Sequence, residues 1–491
     1  MRSFKYILKR IIMGAVPFSL LFTSCNKQLD ELRPHNVIFE DMQFASPTGY
    51  SEAVTGIYAL VSGAAAIDKG TNYNDMLIFL SEAKGNTIKS LDGTINKQSD
   101  AFDFINTGTR DFSHSYNFWR SGYNVILHAN EVIAHVKDGE TNGTILQAKA
   151  EALFLRAFTY FNLVRLYGRP YYLDADKSPG VMLVLDTRMG PDYAPARASV
   201  AEVYQQVISD LETAASLFNQ SKSNSYASKY SAYALLSRVY LYMGGTSTNP
   251  VTVYNQKAAD YATKVINEGG YQLLQNTAYQ NYYKTDNPGN KEDIFAVNTK
   301  LRQGGISIIF ANPLQGTRPG GLYRPSPYLK SLLDANDLRN SFYVENVTAG
   351  FPDDTKAVSK YMLGFTTLYS VSPFRYLRLA EMYLNRAEAL YKLKKESEAL
   401  ADVNTIRKRA GLSELSGLSG TALFNEILKQ RKLELAFEGH ASFDEFRNGL
   451  PMVRNYDSGK SGAMTVQPTD KKILTPIPEE ERAENPNLVP N

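Results

Sequence analysis

Histidines, paired carboxylates and thiols are the residues that could do chemistry, and each set falls short of a catalytic arrangement. The five histidines are His35, His114, His128, His135 and His440. His128 and His135 stand seven apart and would share one face of a helix, but two imidazoles alone do not make a zinc site. No HExxH, GxSxG or CxxC pattern occurs. "SGKSG" at 458–462 lacks the glycine that a phosphate-cradling loop places five residues before its lysine. Glu434 and Glu438 are one helical turn apart, a pair that glycoside hydrolysis could use. They sit among Arg431, Lys432 and His440, where ion pairing along a helix is the plainer reading. Asp103, Asp111 and Glu151 have no partner set that spacing assigns.

Recognition chemistry is better represented. Flat rings flanked by amides and a guanidinium suit sugar rings or extended peptides. Such residues collect in two irregular stretches, roughly 70–115 and 270–330: Tyr73, Asn86 and Asn106 in the first, Tyr282, Tyr283, Phe310, Arg318 and Tyr323 in the second. Tyrosine is also an ordinary core residue, so no single position decides the matter. The lone tryptophan, Trp119, shares a helical face with Ile126, Asn130 and Ile133 and reads as core.

The elements that must hold these loops are helical. Apolar residues recur every three or four positions at Ala150, Leu153, Ala157, Tyr160, Val164 and Tyr167, before Gly168. They recur again at Val200, Val203, Val207, Leu211, Ala214 and Phe218, where Ser199 and Glu202 form a capping box. Tyr233, Leu236, Tyr240 and Met243 make a third stripe, and Ala258, Ala262 and Val265 a fourth. Near the C-terminal end, Ser372 and Pro373 look like the cap and first turn of a helix carrying Leu377, Ala380, Leu384, Ala387 and Tyr391. After "KLKKES" comes a second stripe, Ala399, Val403, Ile406 and Ala410. Tyr376 to Arg409 thus spans 34 residues of helix, turn and helix, the length of a tetratricopeptide unit. "KEDIFAVN" (291–298) predicts a short strand. The stretches 73–110 and 299–328 read as irregular, and four prolines argue against helix in the tail 471–491.

The N-terminus is distinct. Arg2, Lys5, Lys9 and Arg10 precede an apolar run from Ile11 to Phe22, then Thr23, Ser24 and the chain's only cysteine, Cys25. The run is shorter than the ~20 residues of a membrane-spanning helix and is interrupted by Pro17. It predicts a signal peptide over 1–24 with Cys25 acylated as a bacterial lipoprotein's first residue. Phe22 occupies the position where such signals usually carry leucine, and an ordinary signal with an unpaired thiol is the alternative. Removing the four basic residues takes the formal charge from +3 to −1. No basic block follows residue 25, so a nucleic-acid partner is not expected.

Seven segments, in order, resemble the signature blocks of the SusD/RagB family of outer-membrane nutrient-binding lipoproteins of Bacteroidetes. They are "NFWRSGYNVILHANEVI", "AEALFLRAFTYFNLVRLYG", "ASKYSAYALLSRVYLYMG", "FRYLRLAEMYLNRAEAL", "ALADVNTIRKRAGL", "RKLELAFEGHASFDEFRNG" and "LTPIPEEERAENPNLV". The resemblance implies a mainly α, tetratricopeptide-like scaffold with long loop insertions, forming a single domain over 25–491. It implies attachment through lipid on Cys25 to the outer face of the outer membrane. It also implies an oligosaccharide ligand passed uncut to a SusC-like TonB-dependent barrel transporter, with no cofactor, no metal and no catalytic residue. Starch-binding members stack sugars on loop tryptophans, which these loops lack. A peptide ligand is the alternative within the same family, and a helical-repeat scaffold that binds only proteins is the alternative from another class.

Overall fold

The computed structural model describes residues 40–63, 73–90, 98–105, 114–188, 190, 192–285, 289–298, 302–303, 306–310, 323–343, 358–361, 369–370, 372–456 and 462–491. The signal segment, Cys25, Asn106, Arg318 and most of "SGKSG" lie outside them. The chain divides into residues 1–49 and 50–491. Of the first unit, the structure describes a short helix, Glu40–Gln43, whose Gln43 amide donates to the Gly49 carbonyl at 2.6 Å.

The long helices are α1 (Pro47–Ser62), α2 (Tyr73–Ala83), α3 (His114–His135), α4 (Gly143–Tyr167), α5 (Val200–Leu217), α6 (Lys229–Met243), α7 (Thr252–Glu268), α8 (Leu379–Lys392), α9 (Glu396–Arg409) and α10 (Gly420–Leu435), followed by the short α11 (Ala441–Phe446). From α2 to α10 each helix packs on the next in sequence. This is the logic of a helical repeat, in which one unit cannot bury its apolar face alone and stacking supplies the cover. The helical fold class and the tetratricopeptide-like pair α8–α9 are as the periodicity indicates. Ala387, Leu390, Tyr391, Ala399 and Val403 form a core cluster there, closed by Leu423, Phe424 and Ile427 of α10.

Local chemistry sets the helix ends. The Ser199 hydroxyl accepts from the Glu202 amide while the Glu202 carboxylate accepts from the Ser199 amide, completing the capping box that starts α5. Asn142 caps α4 by accepting from the Thr144 amide at 2.9 Å. Gly168 ends α4 with φ −111°, so it is not needed for a left-handed turn. A Cβ there would lie 2.9 Å from the Val164 carbonyl oxygen of α4 itself and 3.1 Å from Val200 Cγ2 of α5, so crowding at the helix end is what favours glycine. Trp119 is 1% exposed and meets the Tyr167 ring edge-on at 4.9 Å, a core residue as expected.

Three local expectations are corrected. Residues 73–83 are helical, and every residue of α2 is buried. A helix covered on all sides needs no amphipathic stripe, and its polar Asn74, Asp75 and Glu82 made the segment look like loop. Ser372 and Pro373 do not start a helix. Residues Phe374–Arg378 form strand β8, antiparallel to β4 (Asp293–Val297), and both strands are wholly buried. A buried backbone needs partners for its amides and carbonyls, and the expected strand at 291–298 takes "FRYLR" as that partner. The tail contains a short helix, Glu479–Glu484, which Pro478 precedes and Pro486 follows, so the prolines bound it and break nothing.

Among the described residues there are four further antiparallel pairs: β1 (Ile88–Ser90) with β6 (Tyr323–Pro325), β2 (Pro179–Met182) with β3 (Arg197–Ser199), β5 (Arg302–Gln303) with β7 (Tyr369–Ser370), and β9 (Met452–Arg454) with β10 (Met464–Val466).

Candidate functional site

The aromatic residues expected to face a ligand face the interior. Tyr73 lies on α2, 1% exposed, with its hydroxyl donating to Thr159 Oγ1 at 3.2 Å. Tyr323 sits in β6 with its ring 5.4 Å from Phe79 and 5.5 Å from Phe102, and Phe310 packs edge-on against Phe437 at 5.1 Å. Tyr282 and Tyr283 are adjacent rings 4.7 Å apart, both buried, lying under the Arg375 guanidinium. Their hydroxyls are committed, Tyr282 to Asp293 and Tyr283 to Glu438 at 2.6 Å. At these five positions the irregular stretches bury their rings, which form no exposed platform.

The same tyrosines border the pair Glu434 and Glu438. Arg378 donates to Glu434 at 2.7 Å and to Glu438 at 2.6 Å, Arg409 reaches Glu434 at 2.6 Å and Glu292 at 2.6 Å, and Lys360 reaches Glu438 at 2.5 Å. The pair is therefore structural, but its partners come from other elements and not from the next turn of α10. Burial alone would raise both carboxyls. Arg409, Arg378 and Arg339 hold Glu434 well below the usual range, and Arg378 and Lys360 lower Glu438. An acid that must donate a proton to a glycosidic oxygen needs the opposite shift and an open face.

Among the described residues, a cleft of about 570 Å³ opens between the 86–87 turn, the helix Pro327–Ser331, α10, α11 and β9. Of the ligand-binding candidates read from the sequence that the structure describes, Asn86 alone reaches it; Arg431, Lys432 and His440, named there only as neighbours of Glu434 and Glu438, line it too. Gly85 explains how: a Cβ there would come within 2.6 Å of Ala441 Cβ, so only glycine lets this turn lie on α11. Arg454 fixes the turn from β9, donating to the carbonyls of Gly85 at 2.8 Å and Phe102 at 2.6 Å. Glu82 fixes it from the other side by accepting from the amides of Gly439 at 2.8 Å and His440 at 3.1 Å.

Lys432 is the centre of the cleft's polar side. Its ammonium donates to Asn86 Oδ1 at 3.1 Å and to Glu445, and lies 4.8 Å over the half-buried ring of Tyr328. Burial opposes its charge, but Glu445 and Tyr328 outweigh that and raise its pKa. Leu428, Leu435, Ala436, Ala441 and Leu450 give an apolar lining, and Asn425 and Asn455 stand exposed at the edge. An apolar wall with one ring and several amide groups has the make-up of a small-ligand pocket. Lys432 and Glu445 neutralise each other, so neither is poised as nucleophile or base. Tyr328, Lys432, Glu445 and Asn455 are not among the ligand-binding candidates read from the sequence. Three of them lie in or just after "RKLELAFEGHASFDEFRNG", a block whose repeated charges were the available signal.

The scaffold and cleft define a helical-repeat binding protein. One family model, described as "Starch-binding associating with outer membrane", matches residues 58–241, and the SusD family model matches residues 335–491. The chain belongs to the SusD/RagB family. It is 27% identical over 431 residues to SusD-like protein P2 of Formosa agariphila, covering 76% of this chain and 79% of that one. It is 22% identical over 402 residues to the starch-binding protein SusD of Bacteroides thetaiotaomicron, covering 67% and 69%. A SusD superfamily crystal structure from B. thetaiotaomicron superposes with a TM-score of 0.77 at 28% identity, covering 91% of this chain and 99% of that one. A putative sugar binding protein from Bacteroides vulgatus superposes at 0.76 with 25% identity, covering 90% and 98%.

Proposed function

We propose that this protein captures oligosaccharides at the outer face of the outer membrane and passes them, uncut, to a SusC-like TonB-dependent transporter. The observation that carries the reading is the family match along both halves of the chain, whose members include proteins named for starch and sugar binding. The cleft supports it: Tyr328 offers a ring, and Asn86, Asn425 and Asn455 offer amides to hydroxyls. The locking of Glu434 and Glu438 among arginines and a lysine favours capture over cleavage. Asn106 and Arg318 remain candidates for a recognition surface. Cys25 is the proposed point of lipid attachment, and no helix among the described residues is long and apolar enough to cross a membrane.

Isothermal calorimetry of the soluble mature chain against a panel of oligosaccharides and peptides tests this reading. Saturable heat with a glycan, weakened by Asn455→Ala and Tyr328→Ala, is expected. Heat with peptides alone would replace the ligand class, and no heat with any small ligand would leave only a protein-binding scaffold. Sugar chain shortening during the titration would overturn capture without cleavage.

A further inference from the structure

A second, smaller cavity lies where the C-terminal end of α4 meets α11 and the segment 473–474. Among the described residues four cations line it, Lys84, Arg165, Arg169 and Arg447, and no carboxylate does. Arg447 is spent, with both terminal nitrogens on Glu388 at 2.6 Å and further bonds to Asp444 at 2.7 and 2.9 Å. Those two carboxylates also serve Lys392 at 3.0 Å and Arg431 at 3.3 Å, so they have no charge left over for their neighbours.

Lys84 and Arg165 are the uncompensated groups. Lys84 is 3% exposed, and its ammonium donates to one acceptor, the Ile473 carbonyl at 2.9 Å. Arg165 donates to the Tyr242 hydroxyl at 3.0 Å and to Asn162 Oδ1, and its guanidinium lies 4.3 Å from the Phe443 ring and 4.6 Å from the Phe161 ring. Its Nε is buried without an acceptor. Rings and carbonyls orient these cations but do not neutralise them. Burying an ammionium-type charge without a counter-charge is costly, and such a group either loses its proton or takes an anion. Burial pulls Lys84 down to about 7, with no carboxylate to restore it.

We propose that this cavity is an anion site that takes a single oxyanion group, a carboxylate or a sulfate, between Lys84 and Arg165. The size fits one group and no more. The open space is about 30 Å³, and a cavity needs roughly 10–15 Å³ by the same measure to hold one water. Arg169, half-buried and without an ion pair among the described residues, stands at the same cavity as a third donor. Ser442 contributes a hydroxyl, and Tyr171, Tyr204, Tyr242 and Phe443 provide the walls. The group can be a free ion or a substituent carried by a sugar.

The test is thermal denaturation and calorimetry of the full mature chain with sodium sulfate, acetate, glucuronate and glucose, ionic strength being held with chloride. The two anion sources separate in these arms: glucuronate above acetate indicates a sugar-borne carboxylate, and equal effects indicate a free ion. Saturable stabilisation by at least one of the three anions but not by glucose is expected, with affinity reduced roughly tenfold to a hundredfold in Lys84→Met and Arg169→Gln. No saturable effect from any anion, or equal effects in the wild type and both variants, overturns the site. If Lys84→Met fails to fold, NMR of labelled lysines in the wild type decides. The Lys84 titration midpoint rises on saturation with the anion, and an unmoved midpoint refutes the proposal.

Discussion

Replacing Arg378 with methionine removes one guanidinium from a fully buried cluster and keeps most of its volume. In the native protein Arg339, Lys360, Arg378 and Arg409 face Asp337, Glu292, Glu434 and Glu438. Arg378 touches three of those carboxylates, within 3.1 Å of Glu292, 2.7 Å of Glu434 and 2.6 Å of Glu438. Its loss leaves one carboxylate charge uncompensated in the interior. Breaking a buried ion pair from one side costs about 3–5 kcal/mol. The cost depends on pH, and its sign can be worked out. In the native protein the cations depress Glu434 and Glu438, so their contribution is present above the unfolded carboxyl value and is lost as pH falls through the folded one. In the variant the orphaned carboxyl rises above its unfolded value. Its penalty is therefore full at neutral pH and shrinks by roughly 1.4 kcal/mol per pH unit between the raised value and the unfolded value near 4.3. Urea unfolding of wild type and variant at pH 7.5, 6 and 5 measures this. A difference under about 1 kcal/mol at pH 7.5, or a difference that does not change with pH, would refute the charge argument.

Gly85→Ala forces a Cβ to within 2.6 Å of Ala441 Cβ, so overpacking should cost about 1–3 kcal/mol in urea unfolding, and ligand affinity should fall because Asn86 moves. Unchanged values of both would show that the turn is not pinned. Trp119→Ala opens a large hole beside Tyr167 and should cost about 3–5 kcal/mol while leaving calorimetric affinity for the ligand intact; a selective loss of affinity would assign Trp119 to binding. Cys25→Ala should fold normally and leave the membrane fraction, and failure of labelled fatty acid to enter the wild type would remove the lipoprotein reading.

Helices α5, α7 and α9 show a three-and-four stripe because one face of each meets solvent, whereas α4, α6 and α8 carry a readable stripe although most of their residues are buried. The capping box at Ser199 is a local hydrogen-bond pattern that needs no tertiary partner. Helix α2 was not legible, because its 11 residues place Asn74, Asp75, Ser81 and Glu82 on either side of one continuous apolar run, and Glu82 is satisfied by the distant amides of Gly439 and His440. Strand β8 was not legible for the related reason that "FRYLR" is defined by its partner at 293–297. For the cleft, Asn86 was found because it stands in an irregular polar segment. Lys432 and Glu445 were not, because on a helix their charges look like ordinary solvated surface until Tyr328 closes over them.

The abundance of tyrosine, 32 residues against one tryptophan, then has a structural meaning. A segment such as 275–285, which lacks a strand ladder, must satisfy its anchors through side chains. Tyrosine does this with one residue: the ring fills apolar space and the hydroxyl reaches a buried carboxylate. Tyr279 donates to Glu434 at 2.6 Å and Tyr283 to Glu438 at 2.6 Å, while Tyr361 reaches the Phe437 carbonyl at 2.5 Å. Lys360 joins them, bonding the carbonyls of Glu434 and Ala436 at 2.9 Å. All of these anchors converge on residues 434–438, where α10 ends and the turn to α11 begins. That turn also carries the floor of the cleft, Leu435 and Ala436. The buried ionic cluster therefore fixes the irregular segments and the binding surface through the same few residues. For this reason Arg378→Met should weaken ligand affinity as well as stability, although Arg378 is not among the residues lining the cleft.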